Sequence, residues 1–561
     1  VVAVVIALIG LIPQYLSRTI PDVAFPLWAA GRVLDGATLY VDILEINPPL
    51  FIWLDIPIVA LARLTGLDPV LVYRLAVTVV LVGSATAAAR MVSSRVLQLA
   101  IVFALFVLPR VDWGEREHLT LALMLPWLLL AVRRIEGQRV SRAMALGAGL
   151  AAGMGIALKP HFVVVWVGRE LAMWLGSKGG QGGRLAISRL WRPDSVAPVL
   201  VCIAYLLAAF VFTPEYFPLV RELAGPYSRF IRATVLETML GPAPAVALAA
   251  LVVAVGLRKV GAPGPLETIL FWSTVAWSVV ALLQLKGFRY HWYPAMALGL
   301  LLLAQLARVA RGVHISFTSR LFRAVATATV VTTVVVTTWG AVRQAAMPLA
   351  PEWDADPSIG LLLEALEGRV EPGDTLAVLS PNMASGFPLT NYLGTVWPLR
   401  LSNVWPAIVA YEPALELGES PSLRPLADAL PPERWSVNVM AEDMERIRPE
   451  WMLGLRHLPG RAAPYMSKLN LAAYLQRDSR LAALWAGYDS LGTIGMYSVW
   501  HRRGRGTQLP IGAVQWRRNP DARPSGPIAV ADSVAGVGAL LVLIMALDLI
   551  LSRTFAVQGS G

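Results

Sequence analysis

Long apolar runs separated by short polar stretches dominate this chain. A helix needs about 20 apolar residues to cross the hydrocarbon core of a bilayer. Runs near that scale predict spans at 1–17, 70–89, 96–109, 118–132, 143–158, 161–176, 196–212, 244–257, 268–285, 294–307, 324–342 and 529–551. Several are shorter than the ideal, and these stretches are mostly clean of charge. One further apolar stretch, 50–64, follows Pro48-Pro49 and contains Asp55 and Pro57.

Cytoplasmic loops of membrane proteins carry an excess of Lys and Arg. If 50–64 does not cross, one set of loops holds Arg90, Arg95, Arg133, Arg134, Arg139, Arg142, Lys178, Arg184, Arg189, Arg192, Arg258, Lys259, Arg308, Arg311, Arg320 and Arg323. Their acids are only Glu136, Asp194 and Glu267. That set is read as cytoplasmic. The opposite loops mix acids and bases. A full crossing at 50–64 inverts the alternation, so a juxtamembrane or re-entrant helix is expected there.

The outer side then carries loops at 18–69, 110–117, near 159–161, 213–243 and 286–293, and a large segment at 343–528. In that segment the pattern turns to mixed α/β. "DTLAVLS" (374–380) reads as a buried strand ending in a Ser380-Pro381 turn. Residues 440–448 and 464–476 read as helices, and "GTIGMYSVWHRR" (492–503) as one closing strand. The Pro- and Arg-rich 503–527 reads as a linker. The expected organisation is a transmembrane module at 1–342, a periplasmic α/β domain at 343–528, and a final transmembrane helix with a cytoplasmic tail at 529–561.

Composition agrees. The 561 residues are 56% hydrophobic and only 15% charged, and the mean hydropathy is +0.60. Soluble domains carry roughly 25% charged residues. A single soluble enzyme, a disordered tail and a fibrous protein are excluded. The net charge of +11 belongs with cytoplasmic loops rather than with nucleic acid. Cys202 is the sole cysteine, so there is no internal disulfide and no Cys-based metal site. The Arg- and Ala-rich composition, with five lysines, suggests a GC-rich bacterial genome. Val1 lies inside an apolar stretch, and the true start is expected upstream. The stretch is read as the remains of a first membrane helix rather than a cleaved signal.

Candidate chemistry clusters at the outer helix ends. In the first loop, Asp22 precedes an amphipathic stretch at 23–34. It reads either as a helix N-cap or as a general base at the membrane face. Asp42 and Glu45 are solvated loop acids or site residues, with the solvated reading the better one for Asp42. Asn47-Pro48-Pro49 sets an extended approach to the next helix. The second loop packs Asp112, Glu115, Arg116, Glu117 and His118 into seven residues. Such a cluster is either an interfacial ion-pair network or a site. Lys159 and His161 mark a third junction, where Lys159 could also simply snorkel. Lys286, Arg289, Tyr290 and His291 mark a fourth, where Trp292 and Tyr293 read as ordinary interface aromatics. Cations on one side with carboxylates opposite suit a phosphate leaving group and a hydroxyl nucleophile. A His/carboxylate metal site competes with this reading but lacks a tight spacing such as HExxH.

The first-loop string contains Asp22, Gly36-x-x-Leu39-Tyr40, Glu45-x-Asn47-Pro48-Pro49-Leu50 and Trp53-Leu54. It resembles the polyprenyl-phosphate-dependent GT-C glycosyltransferases, nearest in style to the protein O-mannosyltransferase and aminoarabinose-transferase type enzymes. The resemblance covers roughly 1–345 and is strongest in the first loop. It implies a polytopic α-helical membrane protein of about 12 transmembrane helices plus juxtamembrane helices, with a periplasmic α/β C-terminal domain. It also implies a catalytic acid at Asp22 and a second acid in the next outer loop, best matched by Glu117 and next by Glu115. Lys286, Arg289 and His291 match by position the basic residues that bind the lipid phosphate. Asn47 stands where a basic residue is more usual, and Glu117 where an Asp is usual.

The resulting expectation, with the inverting outcome implied by the resemblance, is an inverting membrane glycosyltransferase of the bacterial inner membrane, with its site facing the periplasm. It moves a sugar from a polyprenyl-phosphate carrier to an envelope glycan, lipid or protein. Asp22 and Glu117 are the expected catalytic residues. The expected substrate-binding residues are Tyr40, Glu45, Asn47, Glu115, Arg116, His118, Lys159, His161, Lys286, Arg289, Tyr290 and His291. No cofactor is assigned, and a divalent metal is left open. The bilayer is a partner and nucleic acid is not. The alternatives are a lipid-linked-sugar transporter or flippase, and a non-catalytic envelope polysaccharide assembly protein.

Overall fold

The computed structural model describes residues 1–176, 191–230, 232–257, 263–309, 317–354, 356–409, 425–429, 431–456, 470–505 and 511–514. The first part is helical: α1 (Val2–Leu16), α2 (Pro21–Leu34), α3 (Leu50–Thr65), α4 (Pro69–Ala89), α5 (Arg95–Phe106), α6 (Arg116–Ile135), α7 (Arg142–Ala157), α8 (Val163–Gly176), α9 (Pro193–Phe212), α10 (Tyr216–Arg229), α11 (Val235–Met239), α12 (Pro242–Leu257), α13 (Pro265–Gln284), α14 (Arg289–Val309) and α15 (Phe317–Ala346). Each expected apolar span within the described residues falls on one of these helices. The expected span 529–551 lies outside the described residues.

By length and hydropathy, five described helices are able to cross a membrane: α4, α6, α9, α13 and the 320–346 part of α15. A sixth arises if α1 and α2, bent by 62° at their break, count as one. Eleven of the twelve expected spans fall on described helices, but only five of those helices are by themselves long and apolar enough to cross, and α5, α7 and α12 are shorter apolar helices.

The α1–α2 bend has a local cause. Pro21 has no N–H to continue the α1 ladder and sits instead at the start of α2. The open carbonyls of Tyr15 and Ser17 are taken by the Arg74 guanidinium of α4 at 3.3 and 2.7 Å. After Pro48-Pro49 the chain enters α3, which Gly66 ends at φ +71°. At 16 residues α3 is about 24 Å long, short of a hydrocarbon core of about 30 Å. It folds back on α2, where Arg63 donates to the Asp35 carboxylate at 2.7 and 3.0 Å.

The expected clean spans have an exception at one end of the bundle. Arg169 of α8 and Asp194 of α9 are fully buried and paired at 2.6 Å, and Arg134 of α6 reaches Asp194 at 2.5 Å. Arg169 also pairs with Glu170 and lies 4.3 Å from the centre of the Trp127 ring. Asp194 is thus a buried helix-start residue, not the loop acid expected from the sequence.

The C-terminal part holds a five-stranded mixed sheet: β1 (Leu376–Leu379), β2 (Trp451–Leu455), β3 (Tyr488–Ile494), β4 (Tyr497–Arg502) and β5 (Gly512–Val514), in the order β1-β2-β4-β3-β5. β1 and β2 are parallel, with Val378 opposite Leu453; β4 runs antiparallel to β2, with Val499 opposite Leu453. Both strands β1 and β2 are buried throughout, as a strand covered on both faces requires. The strand expected at 374–380 is β1. The single closing strand expected at 492–503 is instead a hairpin turning at Gly495, whose φ is +55°. The helix expected at 440–448 is the end of a longer one, Pro431–Ile447. Only Leu471–Leu475 of the expected 464–476 is a described helix.

This sheet domain packs on the first loop of the helical part. The Leu44 N–H donates to the Arg400 carbonyl at 2.8 Å, and Leu44 pairs with Leu401 as an isolated parallel bridge. Asn391 donates to the Ala24 carbonyl. Phe387 stacks edge-on with Phe25 at 5.3 Å, and Trp405 meets Tyr227 and Phe230 of the α10 end.

Candidate active site at one end of the helical bundle

Four chain segments far apart in sequence meet at one end of the bundle: the start of α2, the turn into α6, the α7–α8 turn, and the start of α14. The turn into α6 is shaped by Gly114 at φ +84°, and its carbonyl accepts the Tyr73 hydroxyl at 2.6 Å. A Cβ at residue 114 would lie 3.1 Å from the Tyr73 ring. This turn places Glu115, Arg116 and Glu117 in succession with separate partners.

Asp22 lies in the first turn of α2. It is not the N-cap, which is Ile20, and it makes no cap hydrogen bond. The cap reading is therefore corrected: the Asp22 carboxylate accepts from Arg116 Nη2 at 3.1 Å. Its side chain is 28% exposed against 11% for Arg116. The Arg116 guanidinium also lies over the Phe51 ring at 5.2 Å.

Glu117 lies one layer deeper. It is fully buried, accepts from Lys159 Nζ at 2.5 Å, and stands 3.7 Å from His291 Nε2. Lys159 also donates to Gln284 at 3.3 Å and faces the Tyr290 ring at 5.6 Å. His161 packs edge-on against Phe162. Lys159 is buried, so the snorkelling alternative does not hold.

Several polar atoms here are buried without a hydrogen-bond partner among the described residues: Glu115 Oε2, Glu117 Oε2, Arg116 Nε and Nη1, His161 Nε2 and His291 Nδ1. An isolated orphan of this kind costs roughly 1–3 kcal/mol. Their concentration at one place is the strongest mark of a ligand site in the molecule. Burial, together with the neighbouring Asp22 and Glu117 charges, pushes the Glu115 carboxyl well above the ordinary range.

The first loop closes beside this cluster. Tyr40, held at φ +71°, donates its hydroxyl to the Asn47 carbonyl at 2.8 Å. Glu45 is buried and accepts from the Asn47 backbone and side-chain N–H groups at 2.8 and 2.6 Å. Burial raises the Glu45 carboxyl. Asp42 is an exposed loop acid accepting from the Thr38 N–H, as expected.

Three expected residues stand apart. His118 is in the core: Nδ1 accepts the Gly114 N–H at 2.9 Å and Nε2 faces the Leu105 carbonyl at 2.8 Å. Both ring nitrogens are used by backbone, which fixes a neutral tautomer and leaves none for a substrate. Lys286 donates to the Tyr227 and Phe230 carbonyls at 2.6 and 2.5 Å, closing the end of α10, and burial lowers its ammonium to about 8. Arg289 pairs with Asp112 at 2.9 Å and is 41% exposed. Trp292 and Tyr293 are buried, and the Tyr293 hydroxyl bonds the Ala104 carbonyl, so they are core residues and not an interface belt.

Gln284, Phe51 and Tyr73 were not expected. Gln284 had a weak signal, a polar residue ending an apolar run. Phe51 and Tyr73 look like any aromatic on a buried helix face. Among the described residues no three His, Cys, Asp or Glu side chains converge as a metal-ligand set.

No protein-family model matches the chain, and no curated protein matches it. Two solved structures are similar to it. ArnT from Cupriavidus metallidurans bound to undecaprenyl phosphate is similar at 12% identity, over 90% of this chain and 98% of that one, with a TM-score of 0.49. The apo state of the same protein is similar at 13% identity over the same shares, with a TM-score of 0.44.

Proposed function

We propose that this chain is a membrane glycosyltransferase that moves a sugar from a polyprenyl-phosphate carrier to an envelope acceptor at the periplasmic face. The observation that carries this reading is the set of unpartnered, buried charged and polar atoms around Arg116, Glu117 and His291, open at Asp22 and set at the ends of membrane-length helices. The first-loop pattern around Asp22 and Asn47-Pro48-Pro49 supports the carrier class. The undecaprenyl phosphate in one similar structure is a ligand of that ArnT; a polyprenyl phosphate is the corresponding proposal here.

In this reading Asp22 is the partly exposed carboxylate, oriented by Arg116. It accepts the proton of the acceptor hydroxyl. The hydroxyl oxygen forms a bond to the anomeric carbon, and the bond from that carbon to the phosphate oxygen breaks. The carrier phosphate leaves with the electron pair. Its developing charge is met by the Arg116 guanidinium, Lys159 and the imidazoles of His161 and His291. A single displacement of this kind inverts the anomeric centre. Glu117, without exposed surface, serves as a positioning residue that holds Lys159 and His291. Asn47 carries no charge, so the phosphate is held from the α6, α7–α8 and α14 side.

The test is equilibrium binding of a panel of polyprenyl-phosphate sugars to the purified full chain, with each unglycosylated polyprenyl phosphate beside it. Saturable binding of at least one donor, competed by its carrier phosphate, is expected. Absence of binding across a panel that includes the source organism's own sugars would contradict the proposal. Net movement of a lipid-linked sugar across vesicles without transfer would favour a transporter.

A further inference from the structure

Helix α6 starts inside the protein with its first donors open. The first N–H groups of a helix have no partner within it and are closed by a capping side chain, by water or by a ligand. α4 closes its start through the Asp68 carboxylate, which accepts the Leu71 N–H at 3.0 Å, and α7 through the Ser141 hydroxyl, which accepts the Met144 N–H at 3.2 Å. The N-cap residue of α6 is Glu115, and its side chain makes no cap hydrogen bond. The N–H groups of Arg116, Glu117 and His118 meet no acceptor among the described residues. The Gly114 carbonyl, which a longer helix would offer to His118, is taken by the Tyr73 hydroxyl at 2.6 Å. Glu117 and His118 are 0% and 1% exposed, so bulk water does not close their N–H groups.

Side chains around this helix start are also left unpartnered. Arg116 uses Nη2 on Asp22 at 3.1 Å and leaves Nε and Nη1 buried and unpaired. His291, 4% exposed, stands with Nε2 at 3.7 Å from the Glu117 carboxylate and leaves Nδ1 unpaired. The positive end of the helix dipole adds to these donors. Backbone N–H groups and a guanidinium around one helix start suit the oxygens of a phosphate. The place reaches solvent beside Asp22, whose side chain is 28% exposed.

Glu115 occupies the position from which a side-chain oxygen would close the open donors. It does not close them, and its Oε2 is itself buried without a partner. Burial and the Asp22 and Glu117 charges raise its carboxyl well above the ordinary range, which favours the uncharged acid. An uncharged acid does not repel an anion at the helix start.

We propose that the open first turn of α6 seats the phosphate of the polyprenyl-phosphate donor, and that Glu115 is the positioning residue that keeps this turn open. The phosphate oxygens accept from the N–H groups of Arg116, Glu117 and His118 and from the Arg116 guanidinium. The inference rests on the glycosyltransferase reading and adds to it the backbone donors that orient the leaving phosphate beside Asp22.

The test is equilibrium binding of undecaprenyl phosphate to the purified full chain in detergent, with undecaprenol as the phosphate-free control. Glu115→Ser supplies a short hydroxyl that caps the helix, and Glu115→Ala leaves it uncapped. Glu115→Gln is the uncapped reference should Glu115→Ala fail to fold. Glu115→Ser is expected to bind undecaprenyl phosphate about tenfold more weakly than Glu115→Ala, the scale of one hydrogen bond to a charged group. Its thermal midpoint without ligand is expected to be the higher of the two, and both variants bind undecaprenol alike. A merely structural role for Glu115 would move midpoint and affinity in the same direction. Equal affinity of the capped and uncapped variants for undecaprenyl phosphate overturns the seat and leaves the enzyme reading standing, as does a Glu115→Ser deficit that is equal for undecaprenol. A wild type that binds undecaprenyl phosphate no better than undecaprenol overturns the enzyme reading, and the seat with it.

Discussion

The deepest choice in the site is made by one carboxylate. Glu117 has no exposed surface and is held between Lys159 and His291. A buried ion pair broken on one side leaves an uncompensated charge, at roughly 3–5 kcal/mol. Glu117→Gln is therefore expected to destabilise the protein by about that amount, measured by chemical or thermal unfolding in detergent. Pairing it with Lys159→Met removes the stranded ammonium and is expected to recover most of the loss without restoring transfer. A Glu117→Gln variant with wild-type stability would contradict the pairing. Residue identity alone hinted at the cluster, because Glu115, Arg116, Glu117 and His118 are too many ionisable groups for an apolar neighbourhood. It did not separate their roles. His118 follows Glu117 by one residue, which on a helix turns it about 100° away and into the core, where backbone groups claim both nitrogens.

Among the elements, the helix positions were legible and the helix interiors were not. Apolar runs marked each described span to within a few residues, because burial and lipid exposure both demand them. Arg169 and Asp194 escaped that reading. A charged residue inside an apolar run is visible, but its partner sits on another helix. These two residues, with Arg134, tie α6, α8 and α9 together at the end opposite the site-bearing turns. Asp194→Asn is expected to lower the unfolding midpoint markedly while leaving donor affinity unchanged in the protein that remains folded. A loss of donor affinity with no change in midpoint would assign Asp194 to the site instead. Strand β2 was missed for a related reason: its five apolar residues follow directly on a helix, and Pro449 is the only punctuation between them.

At the scale of the whole molecule, the sheet domain is fastened to the loop that carries Asp22. Leu44 bridges to Leu401, and Arg18 at the α1–α2 bend pairs with Asp354 beyond α15. No reading of local sequence reveals these contacts, since they join positions more than 300 residues apart. Burial raises the Asp354 carboxyl to about 6, above the unfolded aspartate value of about 3.9. The folded protein therefore binds more protons than the unfolded chain between these values. The stability contribution of Asp354 is full below about 4 and is lost as the pH rises through about 6. The stability difference between wild type and Asp354→Asn is expected to shift against the wild type from pH 4 to pH 7, read as paired unfolding midpoints. A difference that is flat or of the opposite sign over that range would contradict it.

The central claim is that Asp22 acts on an acceptor bound above a buried cationic cluster. Turnover of a bound polyprenyl-phosphate sugar by purified wild type and Asp22→Asn, at matched expression and matched unfolding midpoint, tests it most directly. Saturable donor binding by both proteins is expected, with transfer reduced by about 10²- to 10⁴-fold in Asp22→Asn. Transfer by Asp22→Asn at the wild-type rate would contradict it.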